Sequence, residues 1–220
     1  MVNFTRAFLS IFLLCLALIS TYDAQAQGYY YGREKNIRLG LTLNPNLGWL
    51  RYEKDQKGSA KLGFSYGLIA DLGFAKNYYF STGLLINTIN SRVEPEYFSL
   101  DPDAPKLPKY RDITLKYVDI PLSIKLKSTA NEYGRFYGQF GFTAGVKVSG
   151  KQKIESDNKE ALRGSDLFRL GLQIGGGAEW KVGNDMALLT GLTFNNGFTR
   201  AMKDGSPRTS FLALNFGLLF

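Results

Sequence analysis

The final eleven residues, Ser210 to Phe220 (SFLALNFGLLF), constrain this chain more than any other stretch. Leu212, Leu214, Phe216, Leu218 and Phe220 share one parity, so a strand of period 2 points all five to one face. The opposite face carries Ala213, Asn215 and Gly217, together with Phe211 and Leu219. Such a strand, ending on an aromatic side chain, fits two settings. It is the last strand of a soluble β-sandwich, or it is wall in a barrel whose outside meets hydrocarbon.

The N-terminus bears on that choice. One arginine within residues 1–6, an apolar run from Ala7 to Ser20 and the small-x-small triplet Ala24-Gln25-Ala26 predict a signal peptide over residues 1–26, cut after Ala26. The apolar run is too short to span a bilayer as a helix. A short periplasmic segment, 27–35, would then precede a β-domain over 36–220. Cys15 is the chain's one cysteine and would leave with the signal. Its neighbour Leu14 is too bulky for a lipoprotein cleavage site. The exported chain would have no disulfide, catalytic thiolate or thiolate metal ligand.

Beyond residue 26 no run approaches the ~18 apolar residues of a membrane helix. The mean hydropathy is −0.14. Barrel strands escape such a scan, because only alternate residues meet lipid. The net charge of +8 asks for an anionic partner. For an exported protein with scattered basic residues, the phosphates of lipopolysaccharide fit better than nucleic acid.

Eight segments alternate at period 2. They run from about Asn36 to Tyr52, Lys61 to Phe74, Tyr78 to Ser91, Ile113 to Lys127, Arg135 to Ser149, Leu167 to Lys181, Asp185 to Thr199, and on to Phe220. In the fourth, Val118, Ile120, Leu122, Ile124 and Leu126 face away from Asp119, Pro121, Ser123 and Lys125, whereas Ile113, Leu115 and Tyr117 have the opposite parity. That predicts a bulge near Tyr117. The connections alternate in length. Ala75 to Asn77, Ser128 to Gly134 and Val182 to Asn184 are short; Glu53 to Ala60, Arg92 to Asp112, Gly150 to Asp166 and Arg200 to Arg208 are longer. An all-β, eight-stranded antiparallel up-and-down transmembrane β-barrel in the cell outer membrane, with N- and C-termini periplasmic, has this pattern.

Phe74, Tyr78, Tyr79, Phe80, Tyr133, Phe136, Tyr137 and Trp180 cluster beside the short turns, where a membrane-interface girdle is expected. Arg38, Asp71, Asp119, Lys125, Lys147, Arg169 and Glu179 fall on the inward parity. Buried charges must pair, so these seven are expected to form a lumenal salt-bridge network with glycines making room. An eight-stranded barrel is filled by its own side chains, so no wide pore is expected.

Histidine is absent, which removes Ser-His triads and histidine metal sites. No GxSxG, SxxK or Walker motif occurs. Gly175-Gly176-Gly177 lies within a strand, where close packing explains it better than phosphate binding. Asp101-Pro102-Asp103, with Glu94 and Glu96 nearby, matches no calcium loop. Asp119 and Glu179 are better explained by ion pairing than as a catalytic carboxylate pair. No catalytic, cofactor-binding or metal residues are assigned, and no enzyme activity is expected.

The run Tyr117-Val118-Asp119-Ile120-Pro121-Leu122-Ser123-Ile124-Lys125 resembles the "Y-L-E-I-P-L-x-L-K" strand of the PorT-like outer-membrane β-barrel family of Bacteroidetes, with Asp119 in place of Glu. Gln139 to Gly145 is similar to that family's next, glycine-rich strand. Leu170 to Trp180 resembles its "G-x-G-x-E-aromatic" strand. The resemblance implies a non-enzymatic structural, surface-interaction or secretion-associated barrel, because one founding member is associated with type IX secretion. The partners expected are outer-membrane lipids and lipopolysaccharide, from the net charge, the barrel assembly machinery during biogenesis, from the terminal strand, and, by the resemblance, secretion-system proteins. Two other readings stay open. A soluble periplasmic lipocalin-like ligand-binding barrel would need an apolar interior, and a lipid-modifying barrel enzyme would have to work without histidine.

Overall fold

The computed structural model of this chain describes residues 37–52, 58–93, 110–154, 160–161, 166–183, 185–202 and 206–220. The signal-peptide region, the 27–35 segment and the acidic residues Glu94, Glu96, Asp101 and Asp103 lie outside the described residues. In chain order the strands are β1 (Ile37–Arg51), β2 (Gly58–Ala75), β3 (Tyr78–Val93), β4 (Arg111–Lys127), β5 (Gly134–Ile154), β6 (Glu160–Ala161), β7 (Phe168–Lys181), β8 (Ala187–Arg200) and β9 (Arg208–Leu219). Eight are long, and each pairs antiparallel with its long neighbours. β9 returns to β1 and closes an eight-stranded barrel. The two-residue β6 is a rung on Lys151 and Gln152 of β5, within the connection to β7.

Closure reaches the last residue. Leu39 N–H donates to Phe220 O at 3.3 Å, and Phe220 N–H donates to Leu39 O at 2.8 Å. A closed ladder leaves no free edge, so backbone polar groups are satisfied without water. The short turns gather at the end that holds Ile37 and Phe220. Lys76 and Asn77 join β2 to β3, with Asn77 at φ 67°, a left-handed conformation that asparagine tolerates. Before β5, the Asn131 carboxamide oxygen accepts the amides of Tyr133 at 3.0 Å and Gly134 at 2.9 Å. Such side-chain capture of backbone amides fixes a tight reversal.

Alternation dictates sidedness. Leu41, Leu68, Phe142, Leu192 and Leu214 point outward and keep about half their surface uncovered, while Thr42, Asn44, Ser65, Asp71, Asp119, Lys125 and Glu179 are buried inside. Leaving a large aliphatic side chain in water forgoes about 1.5–3 kcal/mol each, which a hydrocarbon surround recovers. A soluble barrel with an apolar interior, the lipocalin-like alternative, has the reverse sidedness and is set aside.

The alternation inverts toward the long connections, and this corrects the sequence reading of β4. Ile113, Leu115 and Tyr117 keep the parity of Asp119 and point into the barrel, each at 3% exposure or less. They pack with Leu50, Ile89, Val93, Ala201, Met202, Phe211 and Ala213 in an apolar core. Lys116 is exposed on the outside of the same strand. The expectation that apolar residues face out holds only where the wall meets lipid; above that level the outside is wet and the inside is an ordinary hydrophobic core. A bulge does exist at this height, but on β5. Lys116 pairs with Ser149 and Tyr117 with Lys147, which leaves Val148 as the extra residue.

Candidate functional site: a charged lumen closed at both ends

Near the short turns, two carboxylates hold four cations drawn from three strands. Lys125 Nζ reaches both Asp71 oxygens at 2.9 Å, Lys127 Nζ lies 2.8 Å from Asp71, and Ser81 Oγ donates to Asp71 at 2.7 Å. Lys127 also stands 2.7 Å from Glu179 Oε1, an ion pair poorly aligned for a hydrogen bond. Glu179 Oε2 accepts Arg38 Nη1 at 3.1 Å and Arg135 Nε at 2.9 Å. The excess positive charge rests on ring faces. Lys127 Nζ is 3.9 Å from the Tyr79 centroid, Arg135 is 5.6 Å from the same ring, and Lys125 is 5.0 Å from that of Tyr137. A cation over an aromatic face gains about 2 kcal/mol when desolvated.

A second network crosses the middle. Asn87 Nδ2 donates to Asp119 Oδ2 at 2.8 Å, and Arg169 Nη1 is 3.5 Å from the same oxygen. Arg169 Nε donates to Thr209 Oγ1 at 2.8 Å, and its Nη2 donates to Asn195 Oδ1. Asn195 continues to Thr143 at 3.0 Å, and Thr143 to Gln173 at 2.8 Å. A side chain at Gly145 would collide with Asp119 Oδ1, so glycine there makes room for the carboxylate. Between the networks lies a cavity of about 80 Å³, lined by Asn44, Ser65, Asn87, Gln139 and Thr193 and by apolar groups such as Leu85 and Leu189. Beyond Arg169, whose guanidinium lies 5.9 Å from the Tyr117 ring and 5.2 Å from that of Phe211, the apolar core fills the barrel.

The expected seven-residue network is thus two networks. Arg38, Asp71, Lys125 and Glu179 join in one, Asp119 and Arg169 in the other, and Lys147 sits instead in the field of Asp166 near the long connections. Asp119 and Glu179 are not a pair. Lys127 and Arg135 were missed, although both continue the inward parity of their strands; they sit next to a turn, where the periodicity gives out. Tyr79 and Tyr137, expected in the girdle, are instead buried inside over the cations, at 5% and 6% exposure. Phe74, Tyr78, Tyr133, Phe136 and Trp180 are exposed at the short-turn end, as a girdle requires. Gly175, Gly176 and Gly177 lie within β7, and a methyl at Gly177 would strike the Thr190 carbonyl, which is close strand packing.

The outer wall also carries charge at the long-connection end. Asp112, beyond the apolar belt, accepts Arg92 Nε at 2.8 Å and Nη2 at 3.2 Å, and Lys61 Nζ at 2.7 Å. Chiefly through the Arg92 hydrogen bonds, with help from Lys61, its carboxyl is held down to about 2. Among the described residues, no three metal-capable side chains converge.

A closed antiparallel barrel with apolar side chains outside and charge within is the architecture of a bacterial outer-membrane β-barrel. The chain matches the outer membrane protein beta-barrel domain over residues 24–204 and belongs to that family, which places it in the outer membrane. Similar solved structures include Neisserial surface protein A (TM-score 0.47, 15% identity, covering 84% of this chain and 97% of that one). The outer membrane protein OprG from Pseudomonas aeruginosa gives 0.44 and 13%, covering 82% and 94%. Ail, the attachment invasion locus protein of Yersinia pestis, gives 0.39 and 14%, covering 83% and 98%. No curated protein matches the sequence.

Proposed function

We propose that this protein is a sealed, non-enzymatic outer-membrane scaffold that holds its long connections at the cell surface and both ends of the barrel domain in the periplasm. Recognition, on this reading, belongs to the surface connections and not to the lumen. The observation that carries it is the double closure. The Asp71–Glu179 cluster ties β1, β2, β4, β5 and β7 together across one end, and the apolar core fills the other. The cavity of about 80 Å³ between them has room for a few waters and not for a solute path. The PorT-like resemblance of Tyr117 to Lys125 supports a secretion-associated role within this scaffold reading, with secretion-system proteins as partners.

The test is conductance of the purified barrel in planar bilayers. The protein as it stands should give no steady current, whereas removing the core side chains with Tyr117→Ala and Phe211→Ala should raise leak. A stable ohmic conductance from the unaltered barrel would defeat the scaffold reading. Co-purification from native membranes then tests the secretion partners.

A further inference from the structure

The outer wall changes character abruptly where the apolar belt ends. On β4 the outward residues run Leu126, Ile124, Leu122, Ile120, Val118 and then Lys116, Thr114, Asp112; on β5 they run Phe140, Phe142, Ala144, Val146 and, past the bulge, Ser149, Lys151, Lys153. The ladder sets these side by side. Lys116 faces Ser149, Thr114 faces Lys151, and Asp112 faces Lys153. On the other flank, Thr88 faces Lys116, Asn90 faces Thr114, and Arg92 faces Asp112. Side chains directly opposite stand roughly 5 Å apart and diagonal ones about 7–8 Å, so these groups share one surface. Lys61, Asn90, Asp112, Thr114, Lys151 and Lys153 line a groove of about 210 Å³.

The charge there is unbalanced. Lys61 and Arg92 already satisfy Asp112, while Lys116, Lys151 and Lys153 have no ion-pair partner among the described residues. Among the described side chains, five cations meet one carboxylate, and the hydroxyls of Thr88, Thr114 and Ser149 lie among them. Arg51 and Arg200 are exposed on the same rim. At the opposite rim, exposed Lys76 and Lys181 are matched by Glu132 and Asp185. Cations at one border of an apolar belt, with hydroxyl and amide donors between them, suit phosphate groups held at the junction of acyl chains and sugars.

We propose that the outer wall of β2 to β5, at Lys61, Arg92, Lys116, Lys151 and Lys153, is a docking surface for the phosphates of lipopolysaccharide, the phosphorylated glycolipid of the outer leaflet. In the cell this rests on the proposed orientation, but binding itself is measurable without it, because detergent leaves both rims accessible. The full mature barrel, checked for folding by its heat-dependent gel shift, is titrated with purified lipopolysaccharide, with the same glycolipid stripped of its phosphates, and with phosphatidylglycerol. Lys116→Gln/Lys151→Gln/Lys153→Gln, all exposed positions, should weaken lipopolysaccharide binding at least tenfold, and each single substitution less. Removing the phosphates should weaken binding to the unaltered barrel by a similar factor, and Lys76→Gln/Lys181→Gln at the other rim should leave it unchanged. The proposal is overturned if the triple variant binds as the parent does, if the opposite-rim variant loses as much, or if phosphatidylglycerol binds equally well. A reversed orientation in cells would be a failure of the scaffold reading and would leave these affinities as they are.

Discussion

At the scale of single residues, the fold turns on which charges are alone. Glu179 is 2% exposed, and its one negative charge is shared by Arg38, Arg135 and Lys127. Removing one member of a buried ion pair costs about 3–5 kcal/mol, because the partners stay buried without compensation. Glu179→Ala should therefore lower the stability of the barrel in lipid vesicles by that order, measured by urea unfolding, whereas Glu179→Gln keeps an acceptor and should lose less. Equal losses from both would mean that packing and not charge holds this end. The lipid face gives a sharper contrast. Leu172 is 42% exposed on the outside of β7, and Gln173, one residue on, is buried beside Thr143. An arginine at a midplane outward site costs about 2–4 kcal/mol, so Leu172→Arg should weaken folding into lipid by that much. Gln173→Arg faces polar neighbours and is limited by fit. If both variants weaken folding equally, the register of β7 is wrong.

At the scale of elements, sidedness was legible wherever a strand crosses lipid and illegible where it does not. The parity of β9 and the interior of β4 could be read from period 2 alone, since the outside there is uniformly apolar. The opposite parity of Ile113, Leu115 and Tyr117 predicts a bulge near Tyr117, and the register does shift there, but their parity follows from leaving the belt, where the outside is wet and the rule reverses. Lys127 and Arg135 were missed for want of flanking alternation at the turn. Tyr79 and Tyr137 have the composition of a girdle, and only the cations facing them inside the barrel reveal their place. β9 also yields a prediction that separates ring from backbone. Phe220 is outward, 46% exposed, and exchanges two backbone hydrogen bonds with Leu39. Phe220→Ala keeps that ladder and loses only the ring, worth at most about 1.5–3 kcal/mol; deleting the residue loses both. If assembly in cells recognises the terminal aromatic, the two changes should reduce the assembled amount alike, while in detergent refolding the deletion should be the weaker barrel. Normal assembly of Phe220→Ala would show that the terminal ring is not a delivery signal.

At the scale of the whole molecule, two independent asymmetries point the same way. The longer connections and the cationic rim share one end, and the short turns, the exposed Phe74, Tyr78, Tyr133, Phe136 and Trp180, and the residues Ile37 and Phe220 share the other. Outward apolar residues on β4 run from Leu126 to Val118, which at the rise and tilt of barrel strands covers roughly 20–25 Å, enough to fill the hydrocarbon layer once. The barrel therefore protrudes past the membrane mainly at the long-connection end, because the strands continue there. Loops that face the cell exterior have no size limit from the periplasm, whereas tight turns suit the side from which strands are inserted. Cysteine labelling distinguishes the two orientations. Cys15 is the chain's one cysteine, so with Cys15→Ala a single introduced thiol reports alone. A membrane-impermeant maleimide applied to intact cells should modify Asn158→Cys, in the connection after β5, and should reach Asn131→Cys, in the β4–β5 turn, only after the outer membrane is opened. The reverse pattern would place the cationic rim in the periplasm, remove the glycolipid surface from its partner in cells, and require the surface role to pass to the short turns.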